Sequence, residues 1–294
     1  MEILGVPLQA LLAQLFLGLA NGCFYALLSL GLAIIFGLLN VINLSHGALY
    51  MLGAFVTWMG LQYLGLSYWV MLLVTPLLVG VFGVIVERTT LRRLYRLDHL
   101  YGMLLMIGLA LALEGVFHSF YGVSGRSYAA PEVLAGATDI GFMVLPDYRA
   151  WVVAVSLSVC FATWFLIEKT RLGAYLRAAT ENAPLVQAFG VNVPRMVTLT
   201  YGFGVALAAI GGVLAAPIYQ VSPLMGSNLI IVVFAVVVVG GMGSIMGAIV
   251  TGYMLGLLEG LTKVFYPEAS NIVIFAVMAV VLLARPAGLF GREA

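Results

Sequence analysis

Apolar residues follow one another along this chain in long runs, interrupted at intervals by short polar or glycine-rich stretches. The runs near 8–31, 46–64, 68–86, 101–121, 150–168 and 197–216 are each long enough for a helix to cross a hydrocarbon layer of about 30 Å. Shorter or glycine-broken runs follow near 228–239, 245–262 and 271–284. Strands of a membrane barrel would alternate polar and apolar positions, whereas residues 229–239 are apolar on every face, so the runs predict helices. The expected fold is all-α: a polytopic membrane helical bundle of about eight to ten spans with broken helices. Residues 1–294 read as a single transmembrane domain, with polar segments at 122–149 and 169–196.

Lys and Arg orient such a bundle, because they concentrate in cytoplasmic loops. Ten of the 13 fall in three groups: Arg88, Arg92, Arg93 and Arg96; Lys169, Arg171, Arg177 and Arg195; Arg285 and Arg292. Three spans before Arg88 put the N-terminus outside, 122–149 outside, and 169–196 and the C-terminus in the cytoplasm. The segments after 196 must then be even in number, which gives about nine spans. No Lys or Arg precedes Arg88, so the first run lacks the basic start of a cleavable signal and should remain as a span.

Composition agrees with burial in lipid: 63% of the 294 residues are hydrophobic and 9% charged, with a mean hydropathy of +1.13. A net charge of +1 and the lack of a basic, aromatic-rich stripe argue against nucleic-acid binding. Cys23 and Cys160 lie in apolar runs without metal-ligand spacing, so packing is the expected role and no metal site is expected.

Polar residues within apolar runs are costly and mark pathway or packing positions. Asn21, Asn43, Ser45, His46, Glu114, His118 and Glu259 are of this kind. Asn21, Asn43 and Ser45 serve equally as interhelical hydrogen-bond partners. Ser45 can cap a helix starting at His46, and Glu114 and Glu259 read as residues near span ends. Two interruptions, 37–48 with Gly47 and 240–248 with Gly240, Gly241, Gly243 and Gly247, occupy opposite halves of the chain. Helix breaks in both halves fit a weak internal repeat with a site between the halves. Asn21, Asn43, Ser45, His46 and Glu259 are the resulting translocation-pathway candidates.

Residues 177–190, RAATENAPLVQAFG, read as a short cytoplasmic helix. Thr180 or Asn182 can cap it, Pro184 suits its first turn and Gly190 can end it. Leu185, Val186 and Phe189 form an apolar face that needs a partner, either the neighbouring spans or another protein, because two turns are unstable alone.

INLSHGALYMLGAF (42–55), the stretch from TRLGAYLRAATENAPLVQAFG through GVLAA (170–216), GGMGSIMGAIVTGYMLGLLEG (240–260) and RPAGLFG (285–291) resemble, in colinear order, the LivH-type permeases of bacterial branched-chain amino acid ABC importers. The resemblance implies a multi-pass inner-membrane subunit that imports amino acids, branched-chain ones foremost. Related permeases move urea, amides and other small solutes. It implies four kinds of partner: a second, LivM-like permease, two cytoplasmic ATPase subunits, a periplasmic or lipid-anchored binding protein, and membrane lipid. ATP and Mg would be used by the ATPase subunits, with no cofactor on this chain, which has no phosphate-binding Gly-Lys-Ser/Thr loop of its own. The helix at 180–190 would be the contact with the ATPase, involving Arg177, Thr180, Glu181, Asn182, Ala183, Leu185, Val186, Phe189 and Gly190. Glu181, Ala183 and Gly190 match the family's Glu-Ala-Ala and Gly pattern, but Asn182 stands in place of its first Ala and the spacing to Gly190 is longer. The rival classes are a stand-alone channel or secondary carrier, and an intramembrane enzyme. The latter lacks a Gly-x-Ser-x-Gly or HExxH motif to carry it.

Overall fold

A computed structural model describes residues 2–3, 6–39, 43–95, 97–141 and 143–291. Arg96, Arg292 and positions 40–42 of the first interruption therefore lie outside the described residues. The described chain is an all-α polytopic bundle. Its helices are α1 (Leu8–Leu39), α2 (His46–Leu64), α3 (Tyr68–Val86), α4 (Arg92–Leu94), α5 (His99–Tyr121), α6 (Asp147–Glu168), α7 (Arg171–Ala188), α8 (Val193–Ala215), α9 (Met225–Gly240), α10 (Ile245–Phe265) and α11 (Val273–Ala284). A π-helical turn, Glu87–Leu91, joins α3 to α4. Two small hairpins complete it: Glu2–Ile3 against Val6–Pro7, and Ala137–Asp139 against Val144–Pro146.

Among the described residues, six helical stretches are long and apolar enough to cross a membrane: Leu8–Gly37, Tyr68–Leu94, His99–Tyr121, Asp147–Glu168, Val193–Ala215 and Ile245–Phe265. α9 and α11 are shorter apolar helices, and α2 has 19 residues. The helix ends fall within a few residues of the apolar runs except for α1, which continues to Leu39.

Glycine sets the core. α1 runs antiparallel to α10 at close range: a Cβ on Gly18 would lie 2.6 Å from the Gly256 carbonyl oxygen, and one on Gly252 would lie 2.6 Å from the Ala26 backbone. Further along, Ser29 donates to the Ala248 carbonyl at 3.2 Å. Small residues let backbones approach where lipid supplies no hydrophobic drive for association. α8 packs against α1, α2 and α3 and is buried along most of its length. By contrast α3, α5, α6 and α11 turn large apolar side chains outward, among them Leu73, Leu104, Phe161 and Leu283, as a lipid-facing shell does.

One end of the bundle gathers the basic segments. There α1 and α6 end, α7 lies across them with Leu176 and Arg177, and Gly243 of the turn before α10 and Ile245 at its start complete a shared cleft. The loop after α4, α7 and the start of α8 meet nearby. At the opposite end Arg126 and Val221 exchange backbone hydrogen bonds of 2.8 and 2.9 Å, and the Tyr148 hydroxyl donates to the Leu214 carbonyl at 3.1 Å with the Tyr68 hydroxyl 3.0 Å away.

Candidate functional site

The break between α8 and α9 opens a cavity of about 390 Å³ against α1, α2 and α10, a size within the usual range of ligand pockets. Asn21 and Tyr25 reach it from α1, Tyr50 from α2 and Glu259 from α10. Tyr219, Gln220 and Ser222 line it from the break, and Asn228 from the first turn of α9. Phe24, Met225 and Leu229 supply an apolar wall. Tyr219 donates to Asn21 at 3.0 Å. Tyr25 donates to one carboxylate oxygen of Glu259 at 2.6 Å, and Lys263 pairs with the other. Glu259 is 6% exposed, more than a turn inside α10 rather than at its end. A buried carboxylate persists only with such partners, and these tie α1 to α10.

Of the pathway candidates, the cavity brings Asn21 and Glu259 together and leaves out Asn43, Ser45 and His46. Those three are buried at the start of α2. Asn43 donates to the Tyr201 hydroxyl at 3.3 Å, and Ser45 donates to Asn43 at 2.6 Å. The expected Ser45 cap does not form: its backbone is already helical and its side chain makes no bond to the first turn, because Asn43 holds the hydroxyl. The His46 ring fits over Gly31, where a Cβ would lie 2.9 Å from Nε2. Among the described residues neither imidazole nitrogen has a hydrogen-bond partner. Glu114 accepts from Ser227, joining α5 to α9, and His118 is exposed on α5.

The glycine breaks need one correction. Gly241 and Gly243 take left-handed φ of 97° and 83°, a region open to glycine without strain, and they make the turn between α9 and α10. Gly47 and Gly247 instead lie in the first turns of α2 and α10. Both are contact points: a Cβ on Gly47 would sit 2.6 Å from the Gly226 carbonyl oxygen. Gly247 donates its N–H to the Ser244 cap at 3.1 Å. Gly240 closes α9, and its carbonyl accepts from Phe290 at 3.1 Å, so the C-terminal RPAGLFG segment clasps this turn. The two interruptions touch, with a Cβ on Gly37 3.3 Å from Gly243 Cα, at the basic end of the bundle.

The helix expected at 177–190 is longer and kinked. α7 begins at Arg171 and breaks at Asn182, whose φ of −150° and ψ of 86° are non-helical. Asn182 then caps the following turn, its side-chain oxygen accepting from the Leu185 N–H at 3.0 Å, with Ala183 and Pro184 as the first two residues of that turn. Gly190, at φ 84°, ends it. The expected single apolar face divides. Val186 is 8% exposed and turned into the bundle, while Leu185 and Phe189 are 54% and 80% exposed. Thr180 and Ala183 line the cleft toward α4 and α8, and Thr180 bonds the Arg177 carbonyl at 2.7 Å. Arg177 pairs with Glu168 at 3.4 Å, and Glu181 is exposed.

Sequence reasoning passed over Tyr25, Tyr50, Tyr219, Gln220 and Asn228. Tyr219 and Gln220 stand between Pro217 and Pro223, and a polar pair between prolines after a span is the signal that marks the break. The tyrosines of α1 and α2 carry no such mark, because an interfacial tyrosine reads the same way.

Comparison with known proteins fits this geometry. Residues 14–282 match the family described as "Branched-chain amino acid transport system / permease component". The chain is 30% identical to the high-affinity branched-chain amino acid transport system permease protein LivH of Escherichia coli K12, over 96% of each chain. It is equally identical, with the same coverage, to the corresponding permease BraD of Pseudomonas aeruginosa. A more partial likeness, 28% over 46% of this chain and 43% of the other, links it to the ribose import permease RbsC of Escherichia coli K12. The bundle of apolar helices with its permease relatives defines a multi-pass membrane transport subunit. The chain belongs to the family of permease components of branched-chain amino acid transport systems.

Proposed function

We propose that this chain is one membrane-spanning half of an ATP-driven importer in the bacterial cytoplasmic membrane, moving amino acids, branched-chain ones foremost, by alternating access. Residues 1–294 act as one permease unit beside a second, LivM-like permease. Two ATPase subunits, which use ATP and Mg, dock on the basic end, and a periplasmic or lipid-anchored binding protein delivers cargo to the opposite end. The basic end faces the cytoplasm, in keeping with the arginine distribution.

The observation that carries the reading is the kinked α7: a capped, glycine-terminated turn that holds Leu185 and Phe189 out at the basic end. Two bulky apolar side chains on a short turn need a protein partner, and their burial contributes about 3–6 kcal/mol together. Motion of the ATPase pair is transmitted through this turn to α8 and α1. The cavity at the α8–α9 break is the cargo route. Asn21, Gln220, Asn228 and Glu259 supply polar groups for the charged ends of an amino acid, and Phe24, Met225 and Leu229 accommodate a branched side chain. That apolar wall favours branched-chain cargo over urea or a sugar.

Replacing both Leu185 and Phe189 with Asp tests the assignment. The double variant should assemble with its partner permease, lose more than nine-tenths of ATP-driven uptake and no longer copurify the ATPase. Full uptake with the ATPase retained sinks it.

A further inference from the structure

At the basic end a groove of about 510 Å³ runs between α3, with its π-helical extension, and α8. One wall carries Val84, Arg88 and Arg92 at intervals of four residues; the other carries Asn192, Arg195 and Leu199. The guanidinium groups belong to the outermost turns, and Val84 and Leu199 lie a turn deeper. Among the described residues no acidic side chain lines the groove, and neither ion pair, Arg177–Glu168 or Lys263–Glu259, involves these arginines. Glu87 is buried beside the groove, its carboxylate accepting from Thr198 of the groove wall at 2.6 Å and from Tyr95 at 3.0 Å. The Thr198 bond joins the π turn to α8 across the groove. α8 also begins here, capped by Asn192 through the Arg195 N–H at 3.0 Å, so the positive end of the helix adds to the field.

We propose that this groove is a binding site for the phosphate headgroup of an anionic phospholipid of the leaflet on that side. Arginine suits phosphate because its planar fork bonds two oxygens at once. Three arginines around one cavity at the basic end of the bundle form the kind of basic pocket between helices that such lipids occupy. The apolar continuation selects a lipid over a free anion. Leu199 is 58% exposed, and Val81, a turn deeper than Val84, is 57% exposed, so an acyl chain has a surface to follow. The bound lipid brackets α3 and α8 beside the α7 cleft, where it stiffens the seam that conformational change must bend.

The test is native mass spectrometry of the assembled transporter, purified through a tag on this chain and titrated with phosphatidylglycerol or phosphatidylcholine of identical acyl chains. The intact complex should prefer phosphatidylglycerol. Each arginine contributes roughly fivefold, so Arg88→Gln/Arg92→Gln/Arg195→Gln should lower that preference on the order of a hundredfold, while Arg149→Gln, at the other end of the bundle, leaves it unchanged. Arg195→Gln alone, which is less disruptive to assembly, should lower it about fivefold. Inorganic phosphate at millimolar concentration should not displace the lipid. An unchanged preference in both variants overturns the proposal. So does displacement by inorganic phosphate, which marks a free-anion site, or loss of the ATPase subunits with lipid preference intact, which marks a protein-docking surface.

Discussion

The α1–α10 seam makes the sharpest quantitative prediction. A Cβ on Gly252 would stand 2.6 Å from both the Cα and the N of Ala26. Carbon contacts are comfortable near 3.5–4.0 Å, so the helices must part by about 1 Å. Backbone atoms cannot swing aside as a side chain can, and overpacking of this kind costs about 1–3 kcal/mol. Alanine returns up to about 1 kcal/mol over glycine within a helix, so Gly252→Ala is destabilising by about 1–2 kcal/mol net. The same parting stretches the 2.6 Å Tyr25–Glu259 bond beyond hydrogen-bonding range, so uptake should fall with stability. Gly22→Ala faces Tyr253 Cα at 3.1 Å and should be close to neutral, as the small clash offsets the helix gain. Gly108→Ala, on the outer face of α5 with nothing within 4 Å, should stabilise by about 0.5–1 kcal/mol. Heating detergent-solubilised samples and measuring the surviving monodisperse fraction by fluorescence-detected size exclusion ranks the three. Equal midpoints for Gly252→Ala and Gly108→Ala would refute the packing account.

Three further outcomes follow from single contacts. Asn182→Ala removes the cap on the α7 turn and should cost about 1 kcal/mol locally, seen as weaker ATPase copurification with normal membrane insertion. Thr198→Val leaves the buried Glu87 short of a charge-assisted bond and should lower stability by about 1.5–3 kcal/mol, with Thr198→Ser largely retaining it; thermal midpoints decide. Glu259→Gln should cut uptake at least tenfold while the protein still inserts and pairs with its partners, and uptake at the wild-type rate would remove Glu259 from the pathway.

Hydropathy exposed most of this fold because lipid imposes a simple demand, an uninterrupted apolar stretch for each crossing. The starts of α2, α3 and α10 fall where the apolar runs begin. Local backbone chemistry was legible too, in Asn182 as a cap, Pro184 after it and Gly190 as a stop. What depends on packing was not. Whether Gly47 breaks a helix or presses against Gly226 is decided by a neighbour 179 positions away. Ser45 had a good cap position, but Asn43 took its hydroxyl. Leu185, Val186 and Phe189 looked alike until the bundle took one and left two. The cavity escaped notice for the same reason: a tyrosine facing a polar cleft and one facing lipid headgroups leave the same trace in one dimension.

Reconstitution tests the central claim most directly. Proteoliposomes containing this chain, a LivM-like permease and the two ATPase subunits, supplied with binding protein and radiolabelled leucine, should accumulate leucine only while ATP is hydrolysed, and only with every component present. Saturable leucine flux through this chain alone, indifferent to ATP and to the binding protein, would contradict it and identify a stand-alone carrier.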